Sequence, residues 1–388
     1  MDEKVTAVVH PETGRLADPT EAIPETKRTP GIALCLSGGG YRAMIFHVGV
    51  LWRLNEAGYL PKLARVSSVS GGSITAGVLA LQWSNLQFDS SGVAQKFKDR
   101  VVEPLRQMAR TPVDVKAVVV GKLLPFTTVG DRVERAYRRH LFGDATLADL
   151  PDAPRFVINA TNLQSGVLWR FMKPYMADYR VGMVLNPKLP LARAVAASSA
   201  FPPVLSPVRL KLKASDFKPA SGTDLQREPY TTRVVLTDGG VYDNLGLEPA
   251  KQFQTILVSD GGGKYEAQPR PWRIWVGHTL RVLGTIDNQV RSLRKRHFID
   301  AIKCKTHDGT YWGIRTNIAE YGAAVRIPCP IERTLALADT PTRLSRMAEV
   351  RQERLINWGY AVCDAAMRAY VDTSLLDPKG LPYPASGV

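Results

Sequence analysis

The chain of 388 residues carries 51 Lys and Arg against 36 Asp and Glu, a net charge of +15, with 45% apolar and 22% charged residues. That is the composition of a soluble globular protein, long enough for one large or two ordinary domains. No uninterrupted apolar run reaches about 18 residues, which excludes a membrane-spanning helix. The charge favours contact with nucleic acid or phospholipid head groups, or else is simply spread over the surface. Cys35, Cys304, Cys329 and Cys363 are scattered without C-x-x-C spacing, which argues against disulfides and zinc and makes a cytoplasmic setting the default.

Residues 1–28 are polar, contain Pro and lack an apolar signal core, and read as a mobile arm without a signal peptide. From there short apolar runs alternate with helical patterns, the sign of a parallel α/β sheet. Ala33 to Leu36 is a strand that breaks into Gly38, Gly39 and Gly40, and a helix follows from Tyr41 to about Ala57, closed by Gly58. A second strand, Leu63 to Val66, leads into the small-residue turn Ser68-Val69-Ser70-Gly71-Gly72 and a helix from about Gly72 through Trp83. Val93 to Arg110 is amphipathic. Val113 to Gly130 is unusually apolar for a connection and has two readings, a buried helix or strand and a lipid-facing flap.

Asp131 to Phe142 is helical, and Phe156 to Thr161 reads as a strand with Val167 to Met172 as its hairpin partner. Leu191 to Ala200 is a short small-residue helix ended by Phe201-Pro202-Pro203. Val234 to Thr237 and Ile256 to Ser259 are buried strands, each running into Asp-Gly-Gly. From Trp272 to about Lys305 the pattern is helical and basic: Ile286, Val290, Leu293, His297, Phe298 and Ile302 form a stripe beside Arg291, Arg294, Lys295 and Arg296. Those basic residues suggest contact with an anionic membrane surface; the plainer reading is a solvated charged face. Little aromatic interleaving accompanies them, so stacking on nucleic-acid bases is not suggested. Thr340-Pro341 is expected to cap a last long helix with Leu344, Met347, Leu355, Trp358 and Val362 on its stripe.

A serine hydroxyl becomes a nucleophile when a sharp turn exposes it beside a base. Ser70, followed by Gly71 and Gly72, fits that turn better than Ser67, Ser68 or Ser73. Acyl transfer also needs donors aimed at a developing oxyanion, and three glycines at a helix N-terminus expose backbone N–H groups beside the helix dipole. Gly38-x-Gly40-x-x-Ala43 also suits a dinucleotide loop, but that reading requires an acidic residue at the end of the next strand, where Ser67, Ser68 and Ser70 stand. Arg42 is placed to meet a phosphate or to form a salt bridge on the first helical turn. Asp238 and Asp260 are the candidate bases, each ending an apolar strand on the edge where α/β folds place ligands. A triad through His278, His297 or His307 competes, though none of these lies in a glycine-rich turn after a strand. His47, within the first helix, reads as packed.

These residues resemble the patatin-like phospholipase family, which carries a glycine-rich oxyanion loop, a G-x-S-x-G serine and an Asp-Gly-Gly or Asp-Gly-Ala aspartate in that order. Here they are Ser37-Gly38-Gly39-Gly40-Tyr41-Arg42, Ser68-Val69-Ser70-Gly71-Gly72 and Asp238-Gly239-Gly240. The glycine loop is also similar to that of the cytosolic phospholipase A2 branch. Ala197 to Pro202 and Val241 to Gly246 match more loosely, and the second match selects Asp238 over Asp260. Ser68 and Ala43 depart from the family pattern by replacing glycines with small residues. The resemblance covers about Thr29 to Gly263, taken as residues 29–263 of one domain, with 264–388 as a helical extension packed on it. It implies a three-layer α/β/α sandwich with a mostly parallel central sheet. It also implies hydrolysis of lipid acyl esters by a Ser70–Asp238 dyad, with Gly38, Gly39 and Gly40 as the oxyanion loop and no metal or cofactor. The alternative is an anionic-membrane or nucleic-acid binding protein with a degenerate site.

Overall fold

Alternating strands and helices build a ten-stranded sheet in the computed structural model, which describes residues 28–113, 129–271 and 274–388. The expected arm and all but the ends of Val113–Gly130 lie outside the described residues. β1 (Thr29–Leu36), β2 (Leu63–Val69) and β3 (Arg155–Asn162) run parallel side by side. Beyond β3 the sheet continues antiparallel through β4 (Val167–Phe171), β5 (Tyr175–Asp178) and β6 (Gly182–Leu185). β7 (Val208–Lys211) pairs with β8 (Arg233–Asp238), and β8 pairs antiparallel with β3. On the other side of β1 lie β9 (Phe253–Asp260) and β10 (Asp308–Gly313), both parallel to it. The centre is therefore parallel, as the alternating pattern predicts, and one wing is antiparallel.

The period of two along β1 shows why the sheet is a middle layer. Leu34 and Leu36 enter one core with α1 (Gly40–Glu56), α2 (Gly71–Gln82), α3 (Glu103–Arg110), α4 (Val129–Tyr137) and α5 (Leu191–Ser198). Ala33 and Cys35 enter a second core, with Ile256, Val258 and Leu245, which follows the single turn α6 (Gly240–Asp243). Phe298 of α7 (Trp275–Lys303) closes that second layer. The first core also takes Leu337 of α8 (Ile331–Ala338) and much of α9 (Glu349–Tyr370). Helices α1 and α9 cross at glycines: a Cβ on Gly49 would stand 1.9 Å from Ile356 O, and one on Gly359 would stand 2.1 Å from Phe46 O.

Two helices differ from expectation. The last begins at Glu349, not at Pro341, because the backbone before it is engaged elsewhere. Arg343 O accepts from Tyr41 N at 3.2 Å, Leu344 O from Val113 N at 3.1 Å, and Met347 N donates to Ala109 O at 2.8 Å. This segment lies over the start of α1. In α7 the expected stripe divides: Phe298 is buried and Ile302 partly so, while Ile286, Val290 and Leu293 are exposed. Three of the four cations face the protein instead, and Arg296 is exposed. Arg291 meets Asp260 at 3.4 Å, Arg294 meets Glu248 at 2.9 Å, and the Lys295 ammonium lies 4.3 Å from the Tyr311 ring centre. The buried carboxylates of Asp260 and Glu248 draw the two arginines inward, since an unpaired buried charge is costly.

The crossing of α1 and α9 leaves no room for a methyl group. Gly49→Ala is expected to lower stability by about 1–3 kcal/mol, measured by urea unfolding. An unchanged midpoint would contradict the close contact.

Candidate active site

The register on β3 brings two strand ends together. β2 occupies one edge of β3 as far as Val69, opposite Asn159. β8 descends the same edge antiparallel and ends at Asp238, opposite Ala160. Strand β4 takes the other edge over the same residues, so β2 and β8 meet tip to tip. Ser70 and Asp238 therefore leave adjacent positions of one ladder, although 168 residues separate them in the chain.

Ser70 has φ 51° and ψ −116°, a strained conformation for a residue with a side chain. The turn is held from several sides. Ser198, at the end of α5, accepts from Ser70 N at 2.9 Å and also bonds Ser73 Oγ at 2.9 Å. Gly72 N donates to Ser37 O at 3.2 Å. A Cβ on Gly71 would stand 2.2 Å from Gly40 O, so the elbow and the glycine loop touch through backbone alone. The α5 terminus also holds the other strand end: Asp238 N donates to Ala200 O at 3.0 Å and Gly239 N to Ser198 O at 3.3 Å. Ser198 belongs to the small-residue segment Ala197–Pro202, but its hold on Ser70 was not legible from spacing.

Asp238 is buried. Its Oδ1 accepts from Gly240 N at 2.7 Å, and its Oδ2 has no hydrogen-bond partner among the described residues. Burial pushes its pKa up to about 7, opposed by the Gly240 N–H and the Ser70 hydroxyl and assisted by the charge of Asp287. Ser70 thus lies near enough to act on the carboxylate without closing a hydrogen bond of strict geometry to Oδ2, a looseness common in unliganded sites.

Asp260 has a different environment. Its Oδ1 accepts from Gly262 N at 2.8 Å, and its Oδ2 accepts from Tyr311 at 2.8 Å beside Arg291. Burial alone would raise its pKa, but the Arg291 charge and these donors win and hold it at about 2. A carboxylate so satisfied is a weak base. It lines a cavity of about 590 Å³ with Arg291, Lys295, Tyr311 and Arg315, and neither Ser70 nor Asp238 lines that cavity.

The histidines stand apart from Ser70. His278 and His297 are exposed on α7, and His307 lies beside Phe253 and Gln254, at the start of β9 and the opposite end of the parallel strands. His47 is buried in α1. Its Nε2 lies 3.0 Å from Ser37 O, which can only accept, so Nε2 carries the proton and Nδ1 accepts from Ser259 Oγ at 2.9 Å. Burial lowers its pKa to about 4, leaving a neutral bridge under the glycine loop.

Two of the expected binding residues have partners within the protein. Among the described residues Arg42 forms no ion pair and bonds main-chain carbonyls instead. It is buried, and donates to Ala338 O at 2.6 Å, Thr340 O at 2.9 Å and Gly261 O at 2.9 Å. Ala338 ends α8, where helix carbonyls lack internal partners, and Arg42 satisfies one of them. Burial lowers its pKa to about 10. Gly38 lies in the loop, but its N–H is already given to Asn244 O at 3.1 Å. Those of Gly39 and Gly40 donate to no described group. Among the described residues no three His, Cys, Asp or Glu side chains are grouped to hold a metal ion, and no helix is long and apolar enough to cross a membrane.

A buried carboxyl with a raised pKa destabilises the fold. Between 3.8 and about 7 the native state keeps a proton that the unfolded chain has released, so stability falls as pH rises through that window. Asp238→Asn is expected to raise the melting temperature at pH 8 by several degrees, on the order of a few kcal/mol, with the gain shrinking toward pH 4. An equal gain at both pH values would contradict the buried charge.

Comparison with known proteins places this geometry. A family model described as patatin-like phospholipase matches residues 34–251. No curated protein matches. Among solved structures, human GIVD cytosolic phospholipase A2 aligns with 89% of this chain and 62% of its own, at 11% identity and TM-score 0.47. The same human protein in complex with a methyl gamma-linolenyl fluorophosphonate inhibitor and terbium chloride aligns over 89% and 59% of the two chains, at 14% identity and TM-score 0.48. VipD from Legionella pneumophila aligns over 87% and 66%, at 16% identity and TM-score 0.33. The chain spans about three fifths of the length of the human structures it matches. The matched model covers more than half of the chain, including the glycine loop, the Ser70 elbow and Asp238, and the chain belongs to the patatin-like phospholipase family.

Proposed function

We propose that this protein is a serine lipid acyl hydrolase that cleaves carboxylic esters of phospholipids or related lipids, of phospholipase A or lysophospholipase type. The observation that carries the reading is the meeting of β2 and β8 on one edge of β3, which sets a strained Ser70 beside a buried Asp238. Family membership supplies the lipid substrate class.

Ser70 Oγ attacks the ester carbonyl carbon while its proton passes to Asp238. The carbonyl oxygen becomes an oxyanion that the Gly39 and Gly40 N–H groups stabilise, in a loop backed by the N-terminus of α1. Collapse breaks the ester bond, and the leaving alcohol takes the proton from Asp238. Water then attacks the acyl-Ser70 ester, with Asp238 again accepting a proton; the acyl–Oγ bond breaks, Ser70 Oγ takes that proton back from Asp238, and the free acid leaves. A group with a pKa of about 7 can accept and return a proton near neutral pH. The same pKa means that the base is lost as pH falls below about 7. Asp260 at about 2 would hold a transferred proton far less well.

Ser70→Ala is expected to reduce hydrolysis by about a thousandfold or more while leaving the fold intact. The measurement is mass-spectrometric product analysis of a total lipid extract, wild type against variant. Full activity in the Ser70→Ala protein would sink the assignment.

A further inference from the structure

Helix α7 carries its polarity inside out. Trp275, Val282, Ile286, Val290 and Leu293 follow one another at spacings of seven, four, four and three, so they share one face. That face is open: Trp275 is 77% exposed, Ile286 52%, Leu293 50%, and neighbouring Leu283 55%. A contiguous apolar stripe of this length signals a partner.

The opposite face is fixed to the protein. Tyr265 packs against Gly284, where a Cβ would meet its ring at 2.7 Å, and its hydroxyl bonds Thr285 at 3.0 Å. Arg291 and Arg294 are tied to Asp260 and Glu248, and Phe298 is buried. Rolling the helix to hide its apolar side would break both ion pairs and take the Arg291 charge away from the buried Asp260 carboxylate. The stripe is therefore held outward.

Its place in the fold is informative. Arg291 reaches the turn Asp260–Gly263. In the same turn Gly261 packs against the glycine loop, its carbonyl 2.7 Å from a Cβ built on Gly39. The charge of Asp287, on the same helix, is felt at Asp238. Helix α7 thus runs near the glycine loop with its apolar face turned outward, and a tryptophan near the end of that face suits the boundary between water and acyl chains.

We propose that the outward face of α7, from Trp275 to Leu293, docks on a lipid bilayer and presents the neighbouring active site to it. This rests on the lipid-hydrolase reading for its choice of partner. The contact is made by apolar side chains, with the net charge of +15 adding attraction to anionic lipid. The basic residues of α7 are largely engaged within the protein.

The test is co-sedimentation of the full chain with phosphatidylcholine vesicles, with and without phosphatidylserine, beside hydrolysis of a short-chain soluble ester. Wild type is expected to bind both vesicle types and to keep binding at high salt. The pair Leu283→Asp with Leu293→Asp is expected to weaken binding at least about tenfold and leave soluble-ester hydrolysis unchanged. Leu283→Gln with Leu293→Gln supplies the same comparison if the aspartates disturb folding. Vesicle binding equal in wild type and variants, or absent in wild type, would overturn the proposal. So would a wild-type dimer in sedimentation velocity that the variants turn into monomer, since the face would then be a subunit interface. Binding that depends on the stripe in a protein that hydrolyses no ester would support the docking face and remove the hydrolase reading. Intact hydrolysis with stripe-independent binding would do the reverse.

Discussion

The site depends on one edge of β3. A strand edge offers its hydrogen bonds to one partner at a time, and here two partners divide it end to end. β2 arrives from below and stops at Val69; β8 arrives from above and stops at Asp238. The junction puts the Ser70 hydroxyl and the Asp238 carboxylate at consecutive rungs without either needing a long or flexible side chain. A slip of one residue in either strand would turn its side chains to the opposite face of the sheet and separate the pair.

Several polar contacts keep the junction in register. Asn159 donates to Ser67 Oγ and Ser68 O, both at 2.9 Å, which fixes β2 on β3. Thr161 donates to Asp238 O at 2.8 Å, which fixes β8. The end of α5 holds both tips, with Ser198 at Ser70 and Gly239 and Ala200 at Asp238. His47 bonds Ser37 O beneath the glycine loop, and Arg42 ties the start of α1 to Gly261, Ala338 and Thr340. None of these groups needs to touch a substrate; together they maintain a positive-φ serine and a carboxylate oxygen without a partner. Both features cost stability, and a large core shared by α1, α2 and α9 offsets them.

Much of this was legible in the sequence. Ser70 could be singled out because Gly71 and Gly72 follow it, and the structure shows the backbone contact that requires Gly71. The parallel centre followed from apolar runs alternating with helical patterns. The antiparallel wing was harder: β5, β6 and β7 are four residues each, too short for periodicity to register. At the opposite, parallel edge, Asp-Gly-Thr-Tyr-Trp-Gly of β10 has no apolar run. The partners of Arg42 could not be read, because the carbonyl it bonds, Ala338, is 296 residues away. Pro341 misled because a proline after threonine marks a helix start only when the following backbone is free. The face that α7 turns outward could not be read either, since both of its stripes have helical spacing and only Asp260 and Glu248 decide between them.

The central claim is that Ser70 is activated by Asp238. Peptide mapping by mass spectrometry after exposure to a fluorophosphonate, repeated across pH, tests it most directly. The account predicts one adduct, on Ser70, forming faster as pH rises through about 7, and losing that dependence and most of its rate in Asp238→Asn. An adduct on another residue, or equal labelling rates with and without the carboxylate, would contradict it.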